Sequence, residues 1–169
     1  MIFDQDLLDA LERVRPQAWE GEVWRVALAG RNPLLANRSG ARWNPPDTAA
    51  LYTSLDLDTV LAELEHLREL QTPPVRRSAF RAHRVRVRVV SMLDLREPSL
   101  LRSLGVGDTE LGSDDHTACR KVGGAAAWLG YDAILVPSAR GAGDNLIIFI
   151  DKQEPDALLE VLDSQDVEK

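Results

Sequence analysis

The chain reads as an α+β domain, a mixed β-sheet core with flanking helices. Three observations predict this. Residues 22–28 and 84–89 alternate side chains at period two, while 132–136 and 145–150 are continuous apolar runs of strand length. Among them lie stretches at 7–14, 57–67 and 117–129 whose apolar residues recur at helical spacing. Finally, 169 residues with 44% hydrophobic content can bury a substantial core as one domain, 1–169, and the single Cys119 closes no internal disulfide.

The elements follow in chain order. Asp4 can cap a helix carrying Leu7, Leu8, Leu11 and Val14, and Pro16 marks its end. Residues 22–28 predict a strand with Trp24, Val26 and Leu28 on one face and Arg25 on the other, less apolar face. Residues 29–48 hold Gly30, Pro33, Asn37, Gly40, Asn44, Pro45 and Pro46, which resist both helix and strand. A loop this long is usually functional or disordered, and Arg42 and Trp43 in its middle favour function. After a short strand at 49–53, Ser54, Asp56 or Asp58 can cap a helix running to about residue 70. Its stripe is Leu57, Val60, Leu61, Leu64 and Leu67, with Glu63 at the edge of the stripe and Glu65 towards water.

Residues 76–90 carry six arginines and no acid, and from Arg84 to Val89 they alternate with valine. The pattern is that of an edge strand protected by charge. If it has a further role, an acidic partner surface or self-association suits it better than DNA. A short helix follows Pro98, 105–115 reads as loop, and 116–129 as a helix whose Gly123 and Gly124 permit close packing. Cys119 within it is expected to be a packing residue. The strands 132–136 and 145–150 should be buried on both faces and joined by the turn SARGAGD, and a final helix is expected from about 155 to 162.

Composition narrows function. A net charge of −7 argues against general polyanion binding, which rests on Lys and Arg neutralising phosphates. The apolar runs fall far short of the ~20 residues of a membrane span, and MIFDQDLLDA lacks the basic flank of a signal peptide, so a mature start at Met1 and a reducing cytoplasm are expected. P-loop, zincin, paired-cysteine and serine-hydrolase motifs are absent. Asp114, Asp115 and His116 can in principle hold a metal, but a capped helix start explains them more simply.

What remains is a set of polar residues near element ends: Arg25, Arg42, Tyr52, Glu63, Ser138 and Asn145. Singly, each is as well explained by an ion pair, a core tyrosine or a surface helix. Together, VWRV at 23–26, ARWNPP at 41–46, LYTS at 51–54, LAELE at 61–65 and GYDAILVPSARGAGDNLIIF at 130–149 resemble, in this order, the RES-domain toxin family. The name-giving Arg, Glu and Ser of that family resemble Arg25, Glu63 and Ser138; Tyr52 resembles its site tyrosine and Arg42 belongs to its GRWN segment. Ala41 departs from the usual second glycine there, which affects local turn geometry.

The resemblance implies an ADP-ribosyltransferase-like fold, NAD+ as substrate with no metal, cleavage of the nicotinamide–ribose bond, and a cognate Xre-like helix-turn-helix antitoxin that blocks the site, with homo-oligomers possible in the toxin–antitoxin complex. Phosphate is the expected acceptor, making the chain an NAD+ phosphorylase. The alternatives are a protein mono-ADP-ribosyltransferase and, in another class, a catalytically inactive antitoxin-binding protein. The residue types suit the chemistry. Nicotinamide leaves as a neutral base, so the barrier is positive charge spreading over the ribose, which a Glu63 carboxylate opposes. Tyr52 offers a ring face and a hydroxyl, Arg25 and Arg42 forked donors for phosphates, and Ser138 and Asn145 neutral hydrogen bonds.

Overall fold

A computed structural model describes residues 2–167. Asp4 caps α1 (Gln5–Glu12) by accepting from the Asp6 N–H, and the helix buries Leu8 and Leu11. The β1 strand (Gln17–Leu28) starts directly after Pro16, several residues earlier than its alternation predicts, because the largely exposed stretch 17–21 is held mainly by pairing with β3. Then come β2 (Ala50–Ser54) and α2 (Leu57–Glu69), the latter capped by Asp56 through the Thr59 N–H. The long strand β3 (Phe80–Asp94) precedes the short helices α3 (Pro98–Ser103) and α4 (Asp108–Gly112) and the helix α5 (Thr117–Trp128). The chain ends in β4 (Ala133–Pro137), β5 (Asp144–Phe149) and β6 (Leu158–Asp166).

The strand order is β1-β2-β5-β4-β3-β6, and β1 pairs with β3 as well. That second pairing closes β1, β2, β5, β4 and β3 into a barrel, with β6 alongside the first half of β3. All pairs are antiparallel except β3–β4. Period two then separates two cores. Val23, Leu51, Val85, Val87, Leu135, Leu146 and Ile148 fill the barrel, while Ala50, Ile134, Val136, Ile147 and Phe149 face outward against α1, α3 and α5. Cys119 belongs to the outer core as expected, and its buried thiol is pushed above its ordinary pKa by desolvation. The outer layer depends on close approach. A Cβ on Gly123 would fall 1.7 Å from the Trp43 carbonyl oxygen, so the 41–46 loop rests directly on α5.

Three expectations fail. The stretch 105–115, read as loop, holds the short helix α4, whose start is closed by the Glu110 carboxylate accepting from the Gly107 N–H. The segment expected to be a final helix is the strand β6; its apolar residues suit either period, and pairing with β3 decides between them. Nor is β3 an edge strand. It lies between β1 and β6, and its arginines meet acids across both ladders: Arg84 bridges Glu22 and Asp163, Arg86 and Arg88 share Glu20, and Arg81 meets Asp166. The basic stripe is one half of a cross-strand charge pattern. Buried Asp132 was not singled out by the sequence either; its carboxylate accepts from the Val90 and Ser91 N–H groups at 2.7 and 3.0 Å and ties β3 to the start of β4.

Candidate active site

The barrel has one thin seam. β1 and β2 share a single residue pair, Trp24 with Ser54, while the other edge of β1 pairs with β3 along its whole length. Beside the seam, under α2, lies a cleft of about 410 Å³ whose walls include Arg25, Tyr52, Ser54, Glu63, His66 and Asn145. Its volume is in the range of small-molecule sites. A larger cavity of about 800 Å³ between α1 and α5 is lined by Phe3, Leu7, Pro45 and Ala118, and none of the predicted site residues reaches it.

Glu63 is the hub. Its position on α2, one residue before buried Leu64, turns its carboxylate towards the ends of β4 and β5. Oε1 accepts from Ser138 Oγ at 2.5 Å and from Asn145 Nδ2 at 2.9 Å. Asn145 is held in turn by Ser54 Oγ, which donates to its Oδ1 at 2.8 Å. The pairing of Ser54 with Asn145 across β2 and β5 sets that contact. Ser138 Oγ also accepts from the Arg140 and Gly141 N–H groups, at 3.2 and 2.9 Å. The turn can come this close to α2 because Gly143 has no Cβ; one would lie 2.3 Å from Thr59 Oγ1. Among the described residues, Glu63 Oε2 accepts no protein hydrogen bond.

Arg25 shares the inner face of β1 with Val23 and ends at the cleft. Its Nε donates to Pro33 O at 3.2 Å and its Nη1 to Tyr52 O at 3.3 Å, so the guanidinium spans the seam and anchors the long loop. Burial pulls it below its ordinary pKa, yet a guanidinium stays charged at neutral pH. The imidazole of His83, opposite Arg25 in the ladder, is pulled down by burial and then by the Arg81 and Arg25 charges; its Nδ1 is 2.6 Å from Ser164 Oγ.

Tyr52 is among the residues lining the cleft, but its hydroxyl is engaged elsewhere. It donates to Asn44 Oδ1 at 2.6 Å and accepts from the Trp43 N–H at 2.8 Å, and burial pushes its pKa well up. The hydroxyl therefore orders the 41–46 loop. Arg42 does not line the cleft. Its Nη1 donates to Leu111 O at 2.6 Å and Ser113 O at 2.8 Å, clamping the end of α4. Thus Arg25, Tyr52, Glu63, Ser138 and Asn145 converge, and Arg42 stands behind them. Ser54 and His66 escaped the sequence reading as site residues. Ser54 was weighed as a helix cap, although LYTS already places it on the same face as Tyr52. Asp115 caps the start of α5 by accepting from the Thr117 N–H, and no cluster of three or more His, Cys, Asp or Glu able to hold a metal occurs among the described residues. No helix there is long and apolar enough to cross a membrane.

Over 148 residues the chain is 28% identical to the NAD(+) phosphorylase MbcT of Mycobacterium tuberculosis and to that of Mycobacterium bovis, a match spanning 83% of this chain and 80% of each relative. The crystal structure of the M. tuberculosis MbcT–MbcA toxin–antitoxin complex superposes with a TM-score of 0.85 at 25% identity, covering 96% of this chain and 92% of that one. Residues 13–168 match the RES domain, and the chain belongs to the RES-domain family.

Proposed function

We propose that the protein is an NAD-degrading toxin of a toxin–antitoxin pair, an NAD+ phosphorylase acting on the cytoplasmic pool and restrained by an Xre-like antitoxin. The similarity to MbcT supports the reaction class, and an ADP-ribosyltransferase-like character of the fold is part of the same proposal. The observation that carries the reading is the asymmetric Glu63 carboxylate. Ser138 and Asn145 hold Oε1, which fixes the group, while Oε2 keeps its lone pairs for a ribose hydroxyl.

In the reaction the bond between ribose C1 and the nicotinamide nitrogen breaks, and its electron pair leaves with nicotinamide. A phosphate oxygen then bonds to that carbon, giving ADP-ribose 1″-phosphate. Positive charge on the ribose is largest in the transition state, so a fixed carboxylate lowers the barrier more than it tightens substrate binding. Arg25 supplies cationic N–H donors for a phosphate group, and the Tyr52 ring provides a face for nicotinamide. Mass spectrometry of NAD+ incubated with the protein, with and without phosphate, tests this. Nicotinamide and ADP-ribose 1″-phosphate should appear together only with phosphate. Equal turnover without phosphate overturns the acceptor, and no nicotinamide release overturns the reaction.

A further inference from the structure

Arg140 lies two residues beyond Ser138 in the β4–β5 turn, and its backbone N–H donates to the Ser138 Oγ that contacts Glu63. Its side chain is only 20% exposed, yet it is poorly satisfied. Nη2 donates to Asp114 Oδ1 at 3.1 Å, Nη1 to Gly112 O at 3.3 Å, and Nε is buried without a hydrogen-bond partner among the described residues. Asp114 is the opposite case, with a side chain 76% exposed between α4 and α5. Its Oδ1 also lies 3.6 Å from Nε2 of His66, which stands on the cleft wall one helical turn beyond Glu63.

One oxygen of one exposed carboxylate therefore bridges a cleft-wall imidazole and the Arg140 guanidinium. This is a weak way to hold an arginine. Guanidinium prefers two parallel bonds to a carboxylate or phosphate, and exposed ion pairs contribute little. The segment carrying Asp114 is rooted by Arg42 on Leu111 O and Ser113 O, so α4 is held by contacts that do not involve the Asp114 carboxylate.

We propose that Arg140, with His66, forms a binding site for a phosphate group of the substrates, and that Asp114 is a displaceable stand-in for that anion. A phosphoryl oxygen takes the place of Asp114 Oδ1 and, unlike it, can meet the guanidinium fork with a second oxygen. That the anion is a phosphate of NAD+ or the attacking phosphate rests on the proposed reaction.

The test is calorimetric titration of the full chain with inorganic pyrophosphate, alongside nicotinamide release. Asp114→Asn removes the competitor and should tighten pyrophosphate binding about two- to fivefold, the scale of one exposed ion pair. Asp115→Asn removes the same charge next door, keeps the α5 cap, and should leave affinity near wild type. Arg140→Lys, checked for folding by thermal melting, should weaken binding about tenfold. The proposal is overturned if Asp114→Asn binds no tighter than wild type, if Asp115→Asn matches it, or if neither wild type nor Asp114→Asn binds measurably. These outcomes stand apart from turnover. If no nicotinamide is released while Asp114→Asn alone tightens binding, the anion site holds and the NAD+ reaction falls.

Discussion

Glu63→Gln separates charge from shape. The amide has nearly the carboxylate's volume, and its oxygen can still accept from Ser138 Oγ and Asn145 Nδ2 at the Oε1 position. Folding stability should therefore change by less than about 1 kcal/mol. What disappears is the full negative charge that the proposed reaction sets against the ribose. At about 4 Å and an effective dielectric of about 20, its attraction for a unit positive charge is about 4 kcal/mol. Deleting one preorganised contact to a developing charge typically costs about 3–4 kcal/mol, so kcat should fall about a hundredfold to a thousandfold with KM nearly unchanged. Initial rates of nicotinamide release at saturating NAD+, with melting temperatures measured in parallel, check this. A kcat within about tenfold of wild type, a barrier change of only about 1.4 kcal/mol, would refute the electrostatic role.

Three other substitutions probe the frame. Gly123→Ala should destabilise by about 1–3 kcal/mol in urea titration despite the helix preference for alanine, because its methyl meets Trp43 O; a gain in stability would contradict the packing. Asp132→Ala leaves the buried Val90 and Ser91 N–H groups without their carboxylate and should cost about 2–4 kcal/mol by the same measurement. Tyr52→Phe should cost about 1–3 kcal/mol by stranding the Trp43 N–H and Asn44 Oδ1. It also carries a pH signature. Since burial raises the Tyr52 pKa in the folded state, the unfolded chain loses that proton first above pH ~10, and stability falls as pH rises; Tyr52→Phe should flatten that fall.

Much of the fold was legible because its signals are local. Asp4 caps the helix it was expected to cap, Asp56 is the one of three candidates that caps α2, and the apolar runs near 134 and 147 are the buried strands β4 and β5. Legibility failed where distant segments decide. Leu158 to Leu162 suits a helix or a strand until Val85 and Arg86 present a ladder for Val161 and Glu160. The arginines of β3 looked like edge protection because their acids lie about sixty residues before and eighty after them. In the site, the motif residues Arg25, Glu63, Ser138 and Asn145 were readable through family resemblance. The support from Ser54, the hydroxyl bonds of Tyr52 and the clamp made by Arg42 depend on which backbone atoms fold against them, and no spacing encodes that.

The solitary Trp24–Ser54 pair has a further consequence. A cylinder of strands is only as cooperative as its weakest joint, and here that joint is bridged chiefly by a side chain, Arg25 reaching the Tyr52 carbonyl. Amide protons on either side of the joint should exchange with solvent sooner than those deep in the β4–β5 ladder. A dinucleotide lodged against Arg25 would act as a rivet across it, so occupancy would register as slowed exchange in two strands at once and as a stiffer barrel.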